Sequence, residues 1–175
     1  MRVVKISFML GVIGVLGAGW LFAQQRTPTG RISPEDYMDI MQLYAYYTRD
    51  VDPGAVRDAS WLYVPDGMIE YRVQTPGGGT RVASGAKGAA ELKAFYMRLL
   101  KTQSFGTRHL NSNHLIEWTP EGANSTVVMT QIDKKDVNKP PAVVQIAVYH
   151  DKLVKTPDGW KFKERLLTRD GLYPE

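Results

Sequence analysis

From Thr107 to Arg169 the chain is written almost wholly as strand, in long segments joined by short turns, and this constrains the fold more than any other feature. Thr107–Thr119 turns at Pro120-Glu121-Gly122 into Ser125–Asp133, and a polar loop around Asn138-Lys139-Pro140-Pro141 leads to Ala142–Lys155. Pro157-Asp158-Gly159 then links that segment to Trp160–Arg169. Turn residues at such spacing predict an antiparallel meander.

Everything helical precedes it. Ser33-Pro34-Glu35-Asp36 is a helix start, with Ser33 as N-cap and Pro34 in the first helical position. Tyr37, Ile40, Met41, Tyr44 and Tyr47 then recur on one helical face. The helix is expected to end between Asp50 and Gly54. A second short helix carries Val56, Ala59 and Leu62 up to Pro65-Asp66-Gly67. Met68–Gln74 and Thr80–Ser84 read as a hairpin around Pro76-Gly77-Gly78-Gly79, and Ala86–Gln103 as a third helix. Helices early and strands late define an α+β domain with helices packed on one face of a sheet.

The first residues differ. Arg2 and Lys5 precede an apolar run from Ile6 to Phe22, and Ala23 stands before polar residues. This predicts a signal peptide over residues 1–23, a flexible arm over 24–32 and one domain over 33–175. The protein is therefore expected to be exported, periplasmic or secreted. Leu21 fits a cleavage site poorly, so an uncleaved N-terminal anchor is the alternative.

Composition closes several routes. The chain has no cysteine, which excludes disulfides, thiolate metal sites and a thiol nucleophile. Without Arg2 and Lys5, 20 basic residues face 18 acidic ones, a balance that does not call for nucleic acid. No phosphate-binding glycine loop or metalloprotease motif is present. His109, His114 and His150 lack metal-ligand spacing, and by strict alternation His109 and His114 face opposite ways. No metal site and no cofactor are expected.

The candidate chemistry lies in a small polar set. Tyr47 is on the apolar stripe of the first helix and Asp52 follows at its end. His109 shares strand parity with Asn111 and Asn113, three polar groups on a face that a purely apolar core would not use. A carboxylate can fix an imidazole tautomer for proton abstraction, and a phenol can donate to an oxygen gaining charge. Against this stand plainer readings: Asp52 as a turn residue, His109 as a structural histidine, Tyr47 as core.

Leu43-Tyr-Ala-Tyr-Tyr47-Thr-Arg-Asp-Val-Asp52-Pro-Gly, followed by Trp61-Leu-Tyr63-Val-Pro-Asp66-Gly67, resembles the opening of SnoaL-like, nuclear-transport-factor-2-like proteins. Arg108-His109, Tyr149-His150-Asp151 and Gly159-Trp160-Lys-Phe162 continue the resemblance over about residues 33–170. It implies a cone-shaped α+β barrel, a curved antiparallel sheet with about three helices on its concave side, around a deep pocket. It also implies a dehydratase- or isomerase-like lyase in which His109 abstracts a proton, Asp52 orients it and Tyr47 assists.

In such a protein a late-strand arginine binds substrate or leaving group, and Arg165 is its nearest counterpart. By strict alternation Arg165 shares a face with Lys161 and Lys163, so a bulge is required to turn it inward. Asn113 is expected to position substrate, and Trp61, Tyr63, Phe95 and Trp118 to supply apolar walls. The expected ligand is a small, largely apolar, oxygenated molecule. The contrasting expectation is an exported binding or assembly module of the same fold. In either case a homodimer through the open sheet face is expected.

Overall fold

A computed structural model of the chain describes residues 30–52, 58–102, 106–134, 136 and 138–172. The predicted leader over 1–23, most of the arm, the Pro53-Gly54 turn and Val56 lie outside the described residues.

Helix α1 spans Pro34–Val51 and begins as its sequence dictates. Ser33 Oγ accepts from the Asp36 backbone N–H at 3.0 Å, a cap that contributes about 1 kcal/mol. Asp52 closes the helix, its own N–H donating to Thr48 O at 3.0 Å. A single 3-10 turn, Ala59–Leu62, follows. Then come β1 (Tyr63–Gln74), β2 (Thr80–Lys87), α2 (Ala89–Thr102), β3 (Arg108–Thr119), β4 (Gly122–Asp133), β5 (Ala142–Thr156) and β6 (Gly159–Leu172).

Two expectations about helices change. The second helix is only the 3-10 turn, because the strand starts at Tyr63 and runs through Pro65-Asp66-Gly67 instead of breaking there. Gly67 permits this. A Cβ at that position would lie 2.9 Å from Val64 O and 3.2 Å from Phe162 O. The next helix starts at Ala89, since Gly88 at φ +84° separates it from a longer β2.

The six strands form one sheet in the order β2-β1-β6-β5-β4-β3. The β3–β6 meander is antiparallel throughout. The sheet as a whole is mixed, because β1 lies parallel to β6. Tight turns enforce alternation only between consecutive strands, and β1 reaches β6 from outside the meander. The sheet is also open among the described residues, with β2 and β3 as its edges, where the resemblance implied a cone-shaped barrel. Among the described residues the architecture is α+β: two α-helices on a six-stranded mixed sheet.

Two one-residue irregularities decide which side chains meet the helices. On β3, Ser112 pairs with Val128 and Leu115 with Thr126, leaving Asn113 and His114 opposite Val127 alone. Asn113 absorbs the extra residue at φ +52°. On β6, Phe162 pairs with Leu153 and Glu164 with Lys152, leaving Lys163 unmatched. Phe162 and Arg165, three residues apart, therefore both point inward, each with 0% exposure. Beneath the helices Tyr44, Tyr47, Tyr63, Tyr96, Tyr149 and Phe162 join one continuous core.

Candidate active site

Asp52 stands where α1 ends, and His109 where β3 begins. His109 Nδ1 lies 2.6 Å from Asp52 Oδ1, and the His109 backbone N–H lies 3.1 and 3.3 Å from the two carboxylate oxygens. An ionised carboxylate only accepts, so Nδ1 carries the proton and Nε2 keeps its lone pair. The side chains are 9% and 11% exposed, enough shielding for the contact to hold its geometry. Chemically, this arrangement presents one basic nitrogen in a fixed tautomer.

Arg165 occupies the middle of the sheet. Directly opposite it on β5 is Asp151, which in turn faces Ser125 on β4. Arg165 Nε and Nη2 donate to Asp151 at 3.0 and 2.7 Å, and both side chains are 0% exposed. Tyr44 reaches down from α1, its hydroxyl bonding to Asp151 Oδ2 and, at 3.0 Å, to Ser125 Oγ. Burial, then the Asp151 charge, pushes the Tyr44 phenol well above its usual range, so it stays protonated and donates. Burial alone would weaken the Arg165 charge, but Asp151 more than restores it.

Aromatic rings enclose the guanidinium. Its Cζ lies 3.9 Å from the Phe162 ring centre, 4.1 Å from Tyr47 and 4.2 Å from Tyr149. Arg165 Nη1 is buried without a hydrogen-bond partner. Tyr63 extends this lining, its hydroxyl 2.7 Å from that of Tyr96, and Phe95 packs edge-on to Tyr96. Tyr47 is therefore a neighbour of Arg165, stacked among Tyr96, Tyr149 and Phe162.

Two expected binding residues are elsewhere. Asn113 is exposed on its bulge, and His114 takes the inner position that alternation had given it. His109 and His114 consequently share one face, contrary to the parity reading. Trp61 is 46% exposed on the outer surface. Its Nε1 donates to buried Asp50 at 2.7 Å while Tyr46 and Lys161 cover its ring. Trp118 is half-buried on the inner face of β3.

Asp151 and Tyr44 were not among the expected site residues. The available signal was a carboxylate on the inward stripe of β5 between Tyr149 and Leu153, where an apolar residue would ordinarily stand. Among the described residues no three His, Asp or Glu side chains converge as metal ligands.

The SnoaL-like domain family matches residues 33–166. The chain belongs to that family. A structure described as a candidate scytalone dehydratase from Novosphingobium aromaticivorans is 26% identical, with TM-score 0.62 over 80% of this chain and 89% of that one. A cystatin-like-fold protein of unknown function from Nostoc punctiforme is 23% identical, with TM-score 0.64 over 82% and 98%. ActVI-ORFA from Streptomyces coelicolor is 19% identical, with TM-score 0.61 over 77% and 96%, a likeness of fold. No curated protein matches the chain.

Proposed function

We propose that this protein is a cofactor-independent lyase or isomerase acting on a small, largely apolar, oxygenated molecule. The observation that carries the reading is the 2.6 Å contact between Asp52 and His109. His109 Nε2 removes a proton from carbon adjacent to a carbonyl, and Asp52 stabilises the imidazolium so formed. In this reading Tyr47 and Arg165, whose Nη1 is buried without a partner, stabilise the oxygen that gains charge as a donor and a cation. In the lyase direction the electron pair forms a carbon–carbon double bond, and the β-hydroxyl departs as water with a proton. The likeness to a candidate scytalone dehydratase supports this class of reaction.

The test is incubation with a panel of small β-hydroxy ketones in deuterium oxide. Water loss is followed by enone absorbance, and proton abstraction by deuterium at the α-carbon. Wild type is expected to show one or both, and His109→Gln neither. Equal rates in the two proteins, or none in either, would sink the reading.

We further propose export through the basic and apolar leader, and assembly as a homodimer through the sheet face opposite the helices. Leu110, Thr130 and Ile146 stand in one register row across β3, β4 and β5, and Leu115, Val143 and Val144 widen the exposed apolar area. The self-complementary partner for such a face is a second copy of the chain. Sedimentation of Ile146→Lys is expected to give a monomer where wild type gives a dimer. A monomeric wild type would end the proposal.

A further inference from the structure

A groove of about 400 Å³ runs between α1 and the edge strand β3. Met41, Tyr44, Ala45, Thr48, Arg49 and Asp52 line one wall, and Asn111 and His114 the other. The lining shares Asp52 with the proposed proton-transfer pair but includes neither His109 nor Tyr47.

Two buried polar atoms beside it have no hydrogen-bond partner: Asn111 Oδ1 and His114 Nε2. Both belong to residues the fold has taken trouble to place. Asn111 Nδ2 donates to Thr48 Oγ1 at 3.0 Å, which fixes the amide and leaves its oxygen unused. The bulge at Asn113 turns His114 onto the Asn111 face, and the Tyr44 ring packs edge-on against the imidazole at 5.1 Å. Burial disfavours the His114 imidazolium, so near pH 7 the ring is neutral and offers one N–H and one lone pair. Leaving such groups unsatisfied is costly, and native structures rarely do so without a partner.

The required partner is chemically specific. Asn111 Oδ1 can only accept, so the ligand must donate. A neutral His114 with its proton on Nε2 needs an acceptor. A hydroxyl is the smallest group that can both donate and accept. Met41 and Ala45 provide an apolar bed, and Arg49 and Asp52 in the lining carry opposite charges, so the lining as a whole selects no ion.

We propose that this groove is a binding site for a small neutral alcohol or phenol, held by donation to Asn111 Oδ1 and acceptance from His114 Nε2–H.

The probe is phenol, with anisole as the control of similar shape that cannot donate. Imidazole nitrogen resonances of the full chain are followed by NMR during titration. Phenol is expected to shift the His114 Nε2 signal saturably, with a dissociation constant in about the millimolar range for so small a ligand. Anisole is expected to give no saturable shift. In Asn111→Ala, its amide spectrum otherwise unchanged, phenol affinity is expected to fall at least about tenfold. Absence of a saturable phenol shift means water alone satisfies the two atoms and overturns the proposal. An equal response to anisole, or full affinity in a folded Asn111→Ala, overturns hydroxyl recognition. Should the variant fail to fold, the wild-type comparison of phenol with anisole decides.

Discussion

Arg165 and Asp151 face each other across adjacent strands as a fully buried pair, joined by two hydrogen bonds of 3.0 and 2.7 Å. The rest of the interior is arranged around them. The Tyr44 hydroxyl bonds to both the Asp151 carboxylate and Ser125 Oγ, and four aromatic rings surround the cation. Removing one partner strands the other charge without water. Asp151→Ala is expected to lower stability by about 3–5 kcal/mol, and the double variant Asp151→Leu/Arg165→Met by less than either single change. Urea denaturation of the three proteins checks this ordering.

The one-residue bulge at Lys163 is what turns Arg165 inward. Lys163→Ala removes only a surface ion pair with Asp66, screened by solvent, and is expected to leave the unfolding midpoint close to that of wild type. Deleting Lys163 removes the unmatched residue and leaves Phe162, Glu164 and Arg165 in strict alternation, in, out and in. The deletion protein is therefore expected to fold with Arg165 still opposite Asp151 and with the near-ultraviolet dichroism of wild type. Loss of that dichroism would contradict the role assigned to Lys163 as the extra residue of the bulge.

Asn113 holds φ +52°, a conformation asparagine tolerates and β-branched residues do not. Asn113→Gly is expected to leave stability within about 0.5 kcal/mol of wild type. Asn113→Val is expected to cost about 1–2 kcal/mol and to disturb the His114 ring signals. Thermal unfolding and NMR of the pair separate this backbone effect from any contribution of the exposed side chain.

Asp36 gives the fold a pH dependence. Its slight burial would raise its pKa, but hydrogen bonds from Lys155, Trp160 and Ser33 hold it below the usual carboxylate value. A depressed carboxylate contributes stability that is complete above the unfolded value of about 3.8 and is lost as pH falls through the folded value. Trp160 Nε1 donates to Asp36 at 2.9 Å, so its fluorescence reports the loss. The difference between wild type and Trp160→Phe is expected to change below about pH 4, and to vanish in Asp36→Ala.

Asp52→Asn keeps the size of the side chain but removes its charge and replaces one of the two acceptor oxygens at His109 by a donor. Turnover on any substrate found for wild type is expected to fall about 10²–10⁴-fold. Nitrogen shifts should show His109 losing its preference for the Nδ1 proton. Unchanged shifts would mean that other contacts orient the ring.

Much of this was legible in the chain because its signals are local. Ser33 and Pro34 start α1, Pro120-Glu121-Gly122 and Pro157-Asp158-Gly159 turn the meander, and the strands lie within a few residues of where those signals put them. Face assignments were less secure, because parity propagates any insertion along the strand. One extra residue at Asn113 exchanged Asn113 for His114, and another at Lys163 brought Arg165 inside. Lys163 carries no local mark of a bulge, and asparagine's tolerance of positive φ is only a faint one at residue 113. Trp61 misled for another reason: its ring is held outside by Asp50 and Lys161, partners that only the folded chain brings together.

The Asp52 carboxylate has two clients at residue 109, the backbone N–H and the imidazole. The first needs no histidine. A descendant that had lost every trace of catalysis would still be selected to keep Asp52, because it ties the end of α1 to the start of β3. Across relatives, persistence of the aspartate is therefore a record of folding. Persistence of the histidine, which the clasp does not require, is the record of chemistry.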